Sequence, residues 1–314
     1  MLTTLTSLLP IFLMILTGWG LRASGLIKAE SWDGFEKVTY LVLFPAMIAY
    51  TMAHADLGEA PIFEIGGALV LAILSVSALL IACRSWLAHR LGLSGPSFTS
   101  VFQGSIRWNS FVALAISTEL HGRTGATLCA IAIAAMIPLV NILSVGVLTR
   151  YASADRVQTK PFILSLLRNP FILASILGVC LNPVSHWIPA PVANAASLLG
   201  QASLAAGLLA VGAGLQLKSV SMPGTEARFG LLVLPVLLKL CIMPLLAVGF
   251  ARLFGVSGVE LSVVAVCTAV PTASASYILA RQFGGDSPLM ARILTAQTII
   301  GMLTLPVSLF FISS

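Results

Sequence analysis

Ten stretches of this chain are apolar nearly throughout, and its charged residues collect at their ends or between them. They cover roughly 2–21, 36–54, 62–83, 98–119, 125–149, 168–183, 190–217, 229–251, 259–280 and 289–311. About 20 apolar residues cross the hydrocarbon core as a helix, whose backbone groups satisfy one another without water. The 314 residues are therefore expected to form an all-α integral membrane protein with ten transmembrane helices and no second, soluble domain. Only 9% of residues are charged and 58% are hydrophobic, against roughly 25% charged in soluble proteins. That balance excludes a water-soluble enzyme.

The formal charge of +6 does not point to nucleic acid, because the cations are scattered between apolar runs. Thirteen of the 17 Lys and Arg residues fall on one side of the expected membrane, at or near the odd-numbered loops, for example Arg22, Lys37, Arg84, Arg90, Arg150, Lys218 and Arg281. The other side holds Arg123 and Arg252. Cytoplasmic loops carry the excess of cations, so both termini are expected outside the cytoplasm, in a cell (inner or plasma) membrane. The first apolar stretch has no basic residue ahead of it, unlike a signal peptide, and is read as a span. The five cysteines, Cys83, Cys129, Cys180, Cys241 and Cys267, stand singly in or beside apolar runs and look like core residues. No catalytic residue, metal site or cofactor is expected.

Five spans per half give the halves opposite orientations, an inverted repeat. Residues 1–150 would be the first repeat, 151–167 a cytoplasmic connecting loop and 168–314 the second repeat. Pro10 and Gly18 are spaced like Pro170 and Gly178. In the fourth span, Arg107-Trp108-Asn109-Ser110 interrupts an apolar run that ends at His121-Gly122; in the ninth, Val270-Pro271-Thr272-Ala273 interrupts one that ends at Gly284-Gly285. Asn109 and Thr272 each precede their glycine by the same distance. Paired interruptions in the two halves point to a transporter site, where discontinuous helices meet near the bilayer midplane. Pro271 lacks an N–H and disfavours helix at Val270. The fourth span has no such proline, so polarity argues for its break, and a straight helix with a polar face stays open.

These segments resemble the auxin efflux carrier family of membrane transporters. The matching residues are Leu9-Pro10-Ile11-Phe12 leading to Gly18 and Arg22, Leu43-Phe44-Pro45-Ala46, Arg168-Asn169-Pro170, Leu208 to Ala213, Leu238-Lys239-Leu240 with Pro244, and Val270-Pro271-Thr272-Ala273 with Tyr277. The resemblance implies a fold like that of sodium/proton antiporters and bile-acid symporters. There the first two spans of each half form a scaffold, and the last three form a transport domain with broken, crossed fourth and ninth helices. Such carriers move organic anions such as auxins, malate or malonate. Trp108 stands where the plant carriers often have a proline, and the connecting loop is short, which favours a prokaryotic carboxylate carrier over an auxin carrier.

Arg107 and Lys239 lie nine and ten residues into their spans, roughly 15 Å deep at 1.5 Å per residue. A cation at that depth costs about 2.5–3.5 kcal/mol and marks a partner or a pathway. All eleven carboxylates, Glu36 among them, fall in loops or near span ends, so an anionic substrate is expected to supply the missing charge. Arg107, Asn109, Ser110, Pro271, Thr272, Ser274, Lys239, Tyr277 and Pro45 are the candidate substrate-binding residues, with hydroxyls and amides at helix starts where the dipole favours negative charge. Two roles remain open for Lys239, since its ammonium could instead bond orphan carbonyls at the break. Arg107 could instead face the cytoplasmic cavity, and Gln297 and Asn141 could bond across helices or face the site.

A membrane enzyme would need paired carboxylates, His-rich metal spacing or an activated nucleophile, and a channel a filter motif or charged rings; neither pattern is visible. The expected function is a secondary transporter of a small organic anion working by alternating access, driven by potential, with sodium- or proton-coupled symport of an organic acid as the alternative. Its partners would be that anion and the lipid bilayer, not nucleic acid, with a homodimer as a compatible assembly.

Overall fold

The computed structural model describes residues 2–55, 61–152, 169–215 and 226–313. All but the start of the expected connecting loop 151–167 lies outside them, as do Asp56, Glu59, Arg168 and Lys218. The described residues form helices and no strand. In order these are α1 (Leu2–Ala23), α2 (Ala29–Val38), α3 (Phe44–Ala53), α4 (Ile62–Ala82), α5 (Arg84–Leu91), α6 (Gly95–Ile106), α7 (Ser110–Tyr151), α8 (Pro170–Leu181), α9 (Ala190–Ala213), α10 (Glu226–Leu237), α11 (Met243–Leu253), α12 (Gly258–Ala269), α13 (Ala275–Gln282) and α14 (Ser287–Ser313).

Among the described residues, six helical runs are long and apolar enough to cross a membrane: Ile62–Ala82, Gly95–Tyr151, Pro170–Trp187, Ala190–Ala213, Phe229–Leu253 and Ser287–Leu309. The shorter apolar helices are Leu8–Ala23 and Gly258–Ala269. The expected fourth and fifth spans fall within one of those runs, and the expected ninth span is shortened by the interruption after Ala269. Large apolar side chains such as Leu198, Leu245, Leu253 and Leu303 stand at least two-thirds exposed. A water-soluble surface rarely presents so many together, and a lipid-facing one does. The chain is a multi-pass membrane protein.

Two prolines explain local departures from α-helix. A proline inside a helix lacks an N–H and its ring collides with the carbonyl four residues back. For Pro45 that carbonyl belongs to Leu41, and for Pro244 to Leu240. Both lie in a single π turn, Thr39–Leu43 and Leu238–Ile242. There the following N–H reaches back five residues, Phe44 to Thr39 and Met243 to Leu238, which widens the turn and relieves the collision. Pro45 thus shapes α3 and lines no described cavity.

The helices pack in two groups. In one, α1 lies on α9 while α3 lies on α8 and α9; in the other, α4, α6, α7 and α10 to α14 pack together, with α12 against α7, α11 and α14. Small residues set the first group's spacing. A Cβ at Gly18 would strike the Leu209 carbonyl, one at Gly212 the Ile15 carbonyl, and one at Gly207 would lie 2.8 Å from the Phe44 ring. The stretch from Gly207 to Gly214 is therefore a packing surface. Within α7, Gly122 (φ 56, ψ −138) adopts a backbone conformation that side chains disfavour, so the helix folds back there as two arms.

Candidate functional site

Both expected interruptions are present. Helix α6 stops at Ile106 and the backbone runs extended through Arg107 (φ −73, ψ 156) to Asn109 (φ −91, ψ 96). No proline is needed, because Asn109 Oδ1 accepts from the N–H groups of Phe111 and Val112 at 3.1 and 3.3 Å and restarts the chain as α7. The straight-helix alternative is thereby removed. After α12, Val270 turns extended (φ −69, ψ 151) and Pro271 follows. Helix begins again at Ala275. The two interruptions bond directly: the Asn109 N–H donates to the Pro271 carbonyl at 2.8 Å.

Breaking two helices inside a membrane leaves backbone groups without their usual partners, each costly in hydrocarbon. Gln297 on α14, fully buried, resolves two of them and also bonds a carbonyl inside α10. Its Oε1 accepts from the Thr272 N–H at 2.9 Å, and its Nε2 donates to the carbonyls of Gly104 at 2.8 Å and Pro235 at 2.9 Å. Lys239 resolves another, its Nζ donating to the Thr268 carbonyl at 2.9 Å. Lys239 is fully buried and lines no described cavity. Of its two open roles, the structure places it in the one that supports the break.

A cavity of about 490 Å³ opens beside the first interruption. Arg107, Trp108, Asn109 and Ser110 line it from the break, Asn141 and Phe111 from α7, Asn169 and Phe171 from the start of α8, Ala273 and Ser274 from the second break, and Glu36 and Tyr40 from α2 and its π turn. Arg107 is 7% exposed. Its Nη1 donates to Asn141 Oδ1 at 2.8 Å, its buried Nε has no partner, and no carboxylate pairs with it among the described residues. Asn109 Nδ2 makes no hydrogen bond among the described residues, since only the amide oxygen is used in capping. Ser110 opens α7 and Ser274 precedes α13, so N-terminal dipole ends converge near the cavity. Phe111 and Phe171 line the cavity, and the buried Phe44 packs behind them, its ring stacked on Phe111 at 4.2 Å.

The structure thus brings Arg107, Asn109, Ser110 and Ser274 together. Pro271 and Thr272 are buried behind the cavity and act through their backbone, while the Thr272 hydroxyl bonds Ser276 at 3.2 Å. Tyr277 lines a second cavity of about 620 Å³, with Arg22, Asp33, Lys37 and Arg281. The two cavities meet at Glu36, Tyr40, Ser274, Ala275 and Leu279. One expectation is corrected: not every carboxylate lies away from the site. Glu36 lines both cavities, and its Oε1 accepts from Ser274 Oγ at 2.9 Å. Sequence reading also missed Tyr40 and Asn169. Tyr40 lies one helical turn after Glu36, and Asn169-Pro170 is a helix-start signal whose Oδ1 caps α8 while its Nδ2 donates to Tyr40 Oη at 3.3 Å.

This arrangement offers binding chemistry, a buried cation and convergent donors at helix starts, and no nucleophile paired with a base. Comparison with curated proteins finds no match. The family model described as membrane transport protein matches residues 155–309, a stretch that contains the second interruption and Gln297. Residues 155–309 thus match the family of membrane transport proteins to which the auxin efflux carriers belong.

Proposed function

We propose that this transporter moves a small organic anion, a carboxylate, by alternating access, with the cavity at the two helix breaks as its binding site. Arg107 carries the reading. A guanidinium so deeply buried, with one hydrogen bond and no described carboxylate in contact with it, lacks the direct ion-pair partner that a protein interior normally supplies. A substrate carboxylate would meet that cation together with Asn109 Nδ2 and the Ser110 hydroxyl. Lys239, Pro271 and Thr272 would hold the broken second helix in place behind it.

The same reading takes the chain as ten spans in two inverted repeats, residues 1–150 and 168–314, with both termini on the non-cytoplasmic side of the plasma membrane. Support comes from the breaks at corresponding places, from the backbone bond between them, and from the separate packing of α1, α3, α8 and α9. That group would be the scaffold, and the group around α6, α7 and α12 to α14 the moving part.

Purified protein should gain thermal stability in the presence of mono- or dicarboxylates, because a ligand that binds only the folded state stabilises it by mass action. Arg107→Ala and Asn109→Ala should abolish the gain. Saturable uptake and counterflow in proteoliposomes would separate a carrier from a channel. An Arg107→Ala protein still stabilised by the same acid would refute the assignment.

A further inference from the structure

The cavity contains one carboxylate of its own, and its position is telling. Glu36 belongs to α2, which packs with α9, whereas Ser274 precedes α13 in the other group. Their hydrogen bond therefore joins the two groups at the place where the cavities meet. It also engages Ser274 Oγ, one of the donors that an incoming anion would use.

Charge sharpens the point. Among the described residues that line the inner cavity, which also include the Tyr40 phenol, Arg107 and Glu36 are the cation and the carboxylate, and their charges offset each other although no ion pair joins them. A substrate carboxylate beside Arg107 would leave a net negative charge in a site of low dielectric, where like charges repel far more strongly than in water. Adding a proton to Glu36 restores the balance and removes the acceptor that occupies Ser274.

We infer that Glu36 is the proton-coupling residue, so that the anion and a proton are carried together. This rests on the anion-carrier reading. A Glu36 carboxylate oxygen takes a proton from water on one side of the membrane as the anion enters, and returns it to water on the opposite side as the anion leaves. No other bond is made or broken. The groups facing Glu36 are Asp33, Lys37 and Tyr40 from its own helix and the π turn, Arg22 from α1, Arg107 from the first break, and Tyr277 and Arg281 from α13.

The test begins with a thermal-shift panel of lactate, malonate, malate, succinate and benzoate, and the most stabilising acid is then radiolabelled for uptake. With the membrane potential clamped to zero, one proton per anion gives about tenfold accumulation per unit of pH gradient, acid outside, since each 1.4 kcal/mol is tenfold in an equilibrium. Glu36→Gln should bring that to less than about twofold, and Glu36→Asp should restore the response. Ser274→Ala, which removes the donor to the ionised carboxylate, should move the half-maximal pH of uptake upward even if Glu36→Gln fails to fold. Gradient-independent accumulation by the wild type, gradient-driven accumulation by Glu36→Gln, or an unmoved midpoint in Ser274→Ala each overturns proton coupling while leaving the anion carrier standing. Absence of stabilisation by every acid overturns the anion reading itself.

Discussion

Replacing Gln297 with leucine removes the amide while keeping nearly the same volume, so packing is little disturbed and the loss is confined to hydrogen bonds. Three partners are then stranded: the Thr272 N–H and the carbonyls of Gly104 and Pro235. Two scales bracket the cost. Side-chain hydrogen bonds between membrane helices average about 0.6 kcal/mol, which gives about 2 kcal/mol for three. An unsatisfied buried group costs about 1–3 kcal/mol, which gives about 3–9 kcal/mol. The second scale applies here, because Gln297 is fully buried and its Thr272 and Gly104 partners sit at breaks where the regular helical pattern stops. Gln297→Leu should therefore lose at least about 3 kcal/mol of unfolding free energy in detergent micelles, read by denaturant titration. Thr298→Val is the control, since its hydroxyl bonds only the Leu294 carbonyl one turn back, and it should cost under about 1 kcal/mol. A Gln297→Leu loss no larger than the control would refute the idea that this amide holds the breaks together.

Gly207→Ala should destabilise by about 1–3 kcal/mol, because its Cβ would lie 2.8–2.9 Å from the Phe44 ring; thermal denaturation in micelles checks it, and Gly146→Ala, which meets nothing, should be nearly silent. Lys239→Met should cost about 1–3 kcal/mol by stranding the Thr268 carbonyl, yet leave the concentration of acid needed for half-maximal thermal stabilisation within about twofold. A much larger shift in that concentration would return Lys239 to the binding site.

Much of the fold was legible because lipid is an unforgiving solvent. Apolar stretches had to become helices, and the described parts of those stretches did, apart from the two interruptions. The second break announced itself through Pro271. The first was readable only as polarity, and the structure shows why polarity was enough: Asn109 supplies the cap that restarts the chain, so no proline has to stop it. Pro45 was visible but misassigned, because a π turn is an arrangement of backbone bonds with no sequence mark beyond the proline itself. Glu36 was misplaced for a different reason. Counting residues from a span's end gives depth along one helix, but it cannot show that two cavities bring solvent-side and midplane residues to a common wall. Gln297 was equally opaque, since its three partners come from α6, α10 and the segment after α12.

The joint between the interrupted helices is made by main-chain atoms, an amide hydrogen from one and a carbonyl oxygen from the other. Every residue type except proline brings that amide hydrogen to position 109, so substitution by the other types leaves the seam its donor and acceptor. On the carrier reading proposed above, neighbouring side chains can change with the cargo while this main-chain seam keeps the two interruptions together.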